Sequence, residues 1–585
     1  MSISPFNTPA MLIAGKFRSS FGSKMVAATF VCCWGAIFSN AQLLSGKTET
    51  FTQADTLRGS LNENRTWWDV QRYDITVTPD YESKTIKGET VILFTSVKNG
   101  GQAMQIDLQE GLAISDVYIE LNYLQKNPND EKQPTLSPVT FQRNGNVYLL
   151  NTARRNFNKT GICKLKIFYH GKPQEAIRPP WDGGWIWKKD TQGRPWMSVA
   201  CQGTGASVWY PCKDHQSDEP DNGASLTINV PDSLVAVANG RLNHSSKSDG
   251  MASYTWEVNS PINNYNIIPY IGKYVHFGEA YKGEKGKLDC DYWVLDYNLG
   301  KAQEQFKQVP KMLKAFEHWF GPYPFYKDGY KLVESPHLGM EHQSAVAYGN
   351  YFLNGRQGRG SSTAMLFDYI IVHESGHEWF ANNITTKDIA DMWVHESFTC
   401  YSETIYLEYW FGKDSANKYL QAQRRGIANK APMIGPYGVN KEGADIYNKG
   451  ANLIHTIRQL INNDEKFRGI LRGLNKTFYQ QTVTTKQVEV FISKQSGIGL
   501  SKIFDQYLRT TQIPVLQWKF ENGTLAAKWS NCIRGFQMPI RFINEKGQST
   551  IIKPNAKTWV SIKTNLHTAA TDFWDKNFYA NYQKL

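Results

Sequence analysis

The sequence predicts a multi-domain α+β fold: a β-rich N-terminal part, a mixed α/β centre and a small C-terminal β part. Three observations carry this. Short runs of alternating apolar and polar residues fill the stretch from about 62 to 273. Helical periodicity dominates from about 363 to 512. An Asn-Gly pair between alternating residues, Asn522-Gly523, then marks a two-residue hairpin near the C-terminal end. At 585 residues, length alone allows about three or four domains.

Taken in order, the chain begins with Lys16, Arg18 and Lys24, an apolar run from Met25 to Phe38, and Ser39-Asn40-Ala41. That order is expected of an export signal at 1–41, cleaved after Ala41, so the protein is expected to be periplasmic or secreted. The run is too short to span a bilayer comfortably, and no later segment is apolar enough to do so. Residues 42 to about 61 read as a polar lead-in. From there Tyr73, Ile75 and Val77 alternate with Asp74, Thr76 and Thr78, and similar runs recur at 88–97, 146–151, 162–169, 225–230 and 253–258. This defines an N-terminal β domain at 62–273. A Trp-rich stretch from Pro179 to Trp196 interrupts it and reads as a long loop, either covering packed tryptophans or walling a cleft.

The centre is expected to form one domain at 274–512. Its helices are expected at 301–320, 391–411, 414–428, 445–462 and 485–495, with a strand at 330–334 after the turn Gly321-Pro322-Tyr323-Pro324. A small β domain is expected at 513–585. The net charge of +12 is spread along the chain without runs, which fits a solvated surface, and no nucleic-acid motif is present. Cys32 and Cys33 lie in the signal segment. The other six cysteines are scattered, and their spacing leaves any disulfide pairing open.

The densest chemical signal is His373-Glu374-Ser375-Gly376-His377, followed after eighteen residues by Glu396. Histidines four apart on a helix differ by about 40° around its axis and about 6 Å along it, so their imidazoles converge. With Glu396 from a second helix they offer three ligands to one zinc ion and leave a fourth position for water, the pattern of a catalytic site. Glu374 is placed to act as general base. The motif sits in an apolar pattern that reads as one helix, with Met365, Leu366, Tyr369, Ile370, Val372, Trp379 and Phe380.

These residues, with Gly339-Met340-Glu341-His342 upstream and Ile446-Tyr447-Asn448-Lys449-Gly450 downstream, resemble the aminopeptidase N family of zinc metallopeptidases. That family carries HExxH-x18-E, a G-x-M-E-N exopeptidase motif and a Y-E-K-G motif, and it includes leukotriene hydrolase. Gly321–Pro324 and Cys201-Gln202 with Trp209-Tyr210-Pro211 fit the same order. The resemblance implies a saddle-like N-terminal β domain, a thermolysin-like catalytic domain and a β-sandwich-like C-terminal domain. It implies an aminopeptidase acting on peptides with a free N-terminus. Glu341 would bind the α-amine, helped by Gln202, and Gly339 and Met340 would lie along the first substrate residue. Tyr447 would stabilise the oxyanion. Glu403, on the same helix face as Glu396, is a candidate acceptor for an imidazole N–H, and Asp391 is a weaker one.

The chain departs from the family pattern at Leu338, at His342 in place of Asn, at Ser397 in place of Gly and at His395. The last three are read as substitutions, His342 and His395 not as extra ligands. The resemblance leads to the expectation that the large helical domain many relatives carry after the catalytic helices is missing and that the cleft is more open. Two other readings stay open: a related endopeptidase or epoxide hydrolase, and an inactive binding module on the same scaffold.

Overall fold

The computed structural model describes residues 51–585 apart from 53–55, 57–58, 99–101, 122–135, 154, 156, 158–160, 202, 544–547 and 565–572. The expected signal segment, most of the lead-in and Gln202 therefore lie outside the described residues.

The N-terminal part is built on an eight-stranded sheet. Its strands run in the order Arg241–Ser248, Met251–Val258, Ala224–Pro231, Trp68–Asp80, Thr85–Ser96, Ile162–Gly171, Leu112–Glu120, Ser137–Pro138. The alternation is physical: Tyr73, Ile75 and Val77 are buried while Asp74, Thr76 and Thr78 face outward. Tyr73 stands opposite Ile92 in the antiparallel neighbour and Ala224 in the parallel one.

The Trp-rich stretch is not the expected long loop. Gly184–Lys189 and Pro195–Ala200 pair as an antiparallel hairpin. Its turn is closed by Asp190, which accepts from the backbone N–H of Gln192 and Arg194. Trp185 and Trp187, two apart and so on one face, stack at 5.2 Å and are buried. Packing therefore accounts for these two. Trp181 is different: it precedes the hairpin and is 62% exposed.

The central five-stranded sheet runs Tyr274–Gly283, Gly286–Leu295, Tyr330–Glu334, Val346–Tyr348, Gly339–Met340. Its last strand is an edge, paired among the described residues only with Val346–Tyr348. The helices Gln308–Phe320 and Tyr369–Gly376 pack on this layer, and Trp393–Phe411, Lys413–Gln423, Asn448–Ile461, Asp464–Thr477, Thr485–Ser496 and Ser501–Arg509 pack on those two and on one another. None of the helices among the described residues is long and apolar enough to cross a membrane.

The final stretch forms a four-stranded sheet in the order Val560–Lys563, Thr524–Ser530, Val515–Glu521, Asn581–Lys584. Asn522 and Gly523 take φ of +46° and +69° at its hairpin, the left-handed pair that an Asn-Gly turn favours. Two apolar clusters hold the molecule together. One joins the N-terminal strands and reaches residues 333–347. The other runs through the central helices and continues without interruption into the C-terminal strands as far as Ala580.

Candidate active site

The helix Tyr369–Gly376 begins where Asp368 accepts hydrogen bonds from the N–H groups of Ile370 and Ile371. Met365 and Leu366, expected within it, instead form a short turn before the cap and are part-exposed. The helix also ends earlier than its apolar pattern suggests. His377 closes it, and the next turn widens so that Asn382 N–H reaches His377 O at 3.0 Å. Ala381 takes φ +148° in that turn, a region costly for a residue with a Cβ.

This break has a use. It turns the Phe380 carbonyl toward His377 Nδ1 at 3.1 Å, where Thr399 Oγ1 also lies at 3.1 Å. On the other imidazole, His373 Nδ1 donates to Glu403 Oε1 at 2.6 Å. Glu403 is fixed in turn by the Tyr419 hydroxyl and, at 3.0 Å, by Gln423 Nε2. A carboxylate and a carbonyl can only accept, so both Nδ1 atoms carry protons and both Nε2 lone pairs face inward. Asp391 takes no part in this: it accepts from Thr485 and from the Tyr437 hydroxyl, away from either imidazole.

Ligand atoms of His373, His377 and Glu396 all lie within 4.8 Å of one another. Glu396 Oε2 is 3.8 Å from His373 Nε2 and 3.5 Å from His377 Nε2, and it is buried without a hydrogen-bond donor. Two imidazole nitrogens and a donorless carboxylate oxygen converging on one buried point suit zinc in ligand type and count. The electrostatics agree. Burial raises Glu396 well above the ordinary carboxylate range, raises Glu341, and pushes Glu374 up to about 7. Burial opposes charging of His373, but the hydrogen bond and charge of Glu403 outweigh it and push it up to about 9. A divalent cation among these carboxylates would reverse such shifts.

Glu403 holds His373 Nδ1 and is not among the three residues whose ligand atoms converge, so Glu403→Gln is expected to weaken zinc affinity roughly 10- to 100-fold. Competition with a chromogenic chelator measures it. Unchanged affinity would rule out this role for the Glu403–His373 bond.

The remaining predicted residues fall around this centre. A Cβ added to Gly339 would meet Glu374 Oε1 and Ile370 Cδ1 at 2.8 Å, so only glycine lets the edge strand lie against Glu374. Glu341, Glu374 and His377 also place polar atoms within 4.8 Å of one another. Glu341 is buried, accepts from the Tyr265 hydroxyl at 3.1 Å, and has its backbone carbonyl held by Asn382 Nδ2 at 2.8 Å. Met340 is buried beside it. Tyr447 begins the helix Asn448–Ile461 and donates to Glu396 Oε1 at 3.1 Å, its ring 6.3 Å from that of His373.

Ser397 is accommodated because Gly450 faces it: a Cβ there would come within 1.6 Å of Ser397 Oγ. Ser397 donates to Ile446 O at 2.7 Å, the carbonyl just before Tyr447. Leu338 is part-buried, at the start of the edge strand. His342 pairs with the Tyr270 hydroxyl at 2.5 Å, and His395 accepts from Thr386 N–H at 2.8 Å, so neither joins the metal-ligand group. Tyr265, Thr399 and the Phe380 carbonyl are participants that sequence reasoning missed.

The peptidase M1 N-terminal domain matches residues 70–265, and the peptidase family M1 domain matches 304–507. The chain belongs to peptidase family M1. Among M1 relatives, leukotriene A-4 hydrolase of Xenopus laevis is 25% identical over 377 residues, covering 59% of each chain. Endoplasmic reticulum aminopeptidase 1 of Mus musculus is 24% identical over 296 residues, 48% of this chain and 31% of that one. The matched stretch thus spans between 31% and 59% of these relatives' length. An M1 zinc metallopeptidase of Deinococcus radiodurans, solved with a Tyr-Ser-Ala substrate, has the same fold at a TM-score of 0.63. It is 19% identical and covers 77% of this chain and 96% of its own.

Proposed function

We propose that this M1 chain is a zinc-dependent aminopeptidase that removes N-terminal residues from peptides. The observation that carries the reading is the buried Glu341 carboxylate beside an open edge strand and next to the His373–His377–Glu396 centre. A buried carboxylate at the end of a cleft suits a primary ammonium group, which it binds by charge-assisted hydrogen bonds. The peptide backbone can add to the Gly339–Met340 edge as an extended strand. The peptide-bound Deinococcus structure and the aminopeptidase relatives support the substrate class.

His373, His377 and Glu396 would hold the zinc, which when bound supplies Lewis-acid polarisation of the scissile carbonyl and of water. Glu374 takes the proton from the attacking water and passes it to the leaving amine. Its raised affinity for protons, set first by burial, suits a group that must both accept and release one near neutrality. The Tyr447 hydroxyl donates to the carbonyl oxygen as charge gathers there. Although Tyr447 is 37% exposed, desolvation by the protein around its phenol, then the charges of Glu396, Glu442 and Glu341, raise it above the usual range, so it remains a donor.

The test compares a leucine arylamide with its N-acetylated twin, before and after chelation. Cleavage of the free amine alone, abolished by chelator and restored by zinc, is the expected result. Equal cleavage of both would overturn the exopeptidase assignment and favour a different zinc hydrolase. No cleavage across a panel of side chains would favour the binding module.

A further inference from the structure

Arg356 has no role in the site as described so far, yet it is held beside it. It is exposed, and among the described residues its guanidinium has no hydrogen-bond or ion-pair partner. It lies instead 5.8 Å from the ring of Trp181 and 5.8 Å from that of Tyr369. Tyr369 stacks on His373 at 5.0 Å. Arg356 is therefore one aromatic ring removed from the metal centre, with two flat surfaces bracing it.

The brace is built. Asn350 Nδ2 donates to Leu353 O, Gly355 O and Asp368 Oδ1, and its Oδ1 accepts from Gln357 N–H at 2.6 Å. Asp368 is also the cap of the histidine helix, so the turn carrying Arg356 and the helix carrying His373 share one anchor. On the other wall, Asp182 accepts from the N–H groups of Ile177 and Arg178 and closes the turn that presents Trp181.

The cleft is polar along its length. Glu341 stands on the His377 side, whereas Arg356 stands beyond Tyr369 on the His373 side. A peptide gripped at its amine by Glu341 and crossing the metal centre continues toward Arg356 on its leaving side. Resting on the peptidase reading above, we propose that Arg356, braced by Trp181 and Tyr369, binds a carboxylate on the leaving side of the substrate. A guanidinium fork matches a carboxylate, and bracing by the rings lowers the entropy lost on binding. That carboxylate has two sources: the C-terminus of a di- or tripeptide, or an acidic side chain of a longer peptide.

The experiment uses zinc-loaded chain carrying Glu374→Gln, with Arg356 intact or changed to Gln, and measures affinity by calorimetry. The ligands are Leu-Gly-Gly, its C-terminal amide, and the amides of Leu-Glu-Gly and Leu-Gln-Gly. Arg356 is exposed, so its replacement leaves the fold intact. The free acid, the Glu peptide or both are expected to bind roughly 5- to 10-fold tighter than the neutral twin, and Arg356→Gln should erase the difference while leaving the amide unchanged. A gain for the free acid alone identifies the C-terminus as the ligand; a gain for the Glu peptide alone identifies the side chain. Equal affinities within each pair, a preference that survives Arg356→Gln, or no binding of any peptide would overturn the proposal. If the preference holds but the native chain turns over none of these peptides, the carboxylate site stands and the aminopeptidase reading fails.

Discussion

Glu374→Gln is expected to lower kcat/KM for a free-amine peptide by about 10³-fold, with zinc content unchanged. The substitution keeps the shape of a side chain that lies against Gly339, where added atoms would collide. It removes only the ability to take a proton and give it back. Glu374 is not among the three residues whose ligand atoms meet at the Glu396 oxygen, so metal retention is expected. KM should move little, because the proposed reading gives the amine grip to Glu341 and the backbone docking to the edge strand. Steady-state kinetics with metal analysis on the same samples checks this. A loss below tenfold with full zinc occupancy would move the base elsewhere.

Tyr447→Phe is expected to cost about 10²- to 10³-fold in kcat, or about 3–4 kcal/mol of transition-state stabilisation. The ring remains to pack near His373, and only the donor is lost. Without substrate the hydroxyl donates to Glu396 Oε1. In the proposed reaction it exchanges that acceptor for the substrate oxygen, which sets the contribution in the transition state rather than in binding. The expected signature is a fall in kcat with KM and zinc affinity near their original values. A rise in KM with kcat preserved would identify Tyr447 as a binding residue.

Much of this site was legible because it is local. His373 and His377 converge through helix geometry alone, and Glu374 follows from adjacency. Glu396 required one step beyond that, a second helix at a known distance along the chain. Glu403 was legible by helix face, and it does meet His373. Asp391 looked similar in sequence but is drawn away by Thr485 and Tyr437, both remote in the chain. What could not be read is whatever depends on the backbone leaving regular structure. The Phe380 carbonyl reaches His377 only because the helix breaks at a residue with unfavourable φ, and the apolar pattern through Trp379 and Phe380 hides that break. Tyr265 and Arg356 come from segments whose approach to the site is set by tertiary packing. In the Trp-rich stretch the period of two at Trp185 and Trp187 was present, but the short strand and its Asp190 turn were masked by surrounding turn residues.

The apolar cluster shared by the central helices and the C-terminal strands bears on how the protein is made. Phe573, Trp574, Phe578 and Tyr579 complete that cluster. Tyr579 N–H donates to Thr456 Oγ1 on the helix that Tyr447 opens, and the Tyr507 hydroxyl donates to Tyr579 O. The N-terminal cluster needs nothing beyond Ala347. As the chain emerges N-terminus first, the β-rich part can therefore bury its apolar surface while the zinc-site helices still lack partners. Those helices acquire their last wall only when residues 573–580 have emerged. The interval between the two events is when exposed helix faces must be shielded from other chains, and competence to bind metal and substrate arrives late in synthesis, as one event.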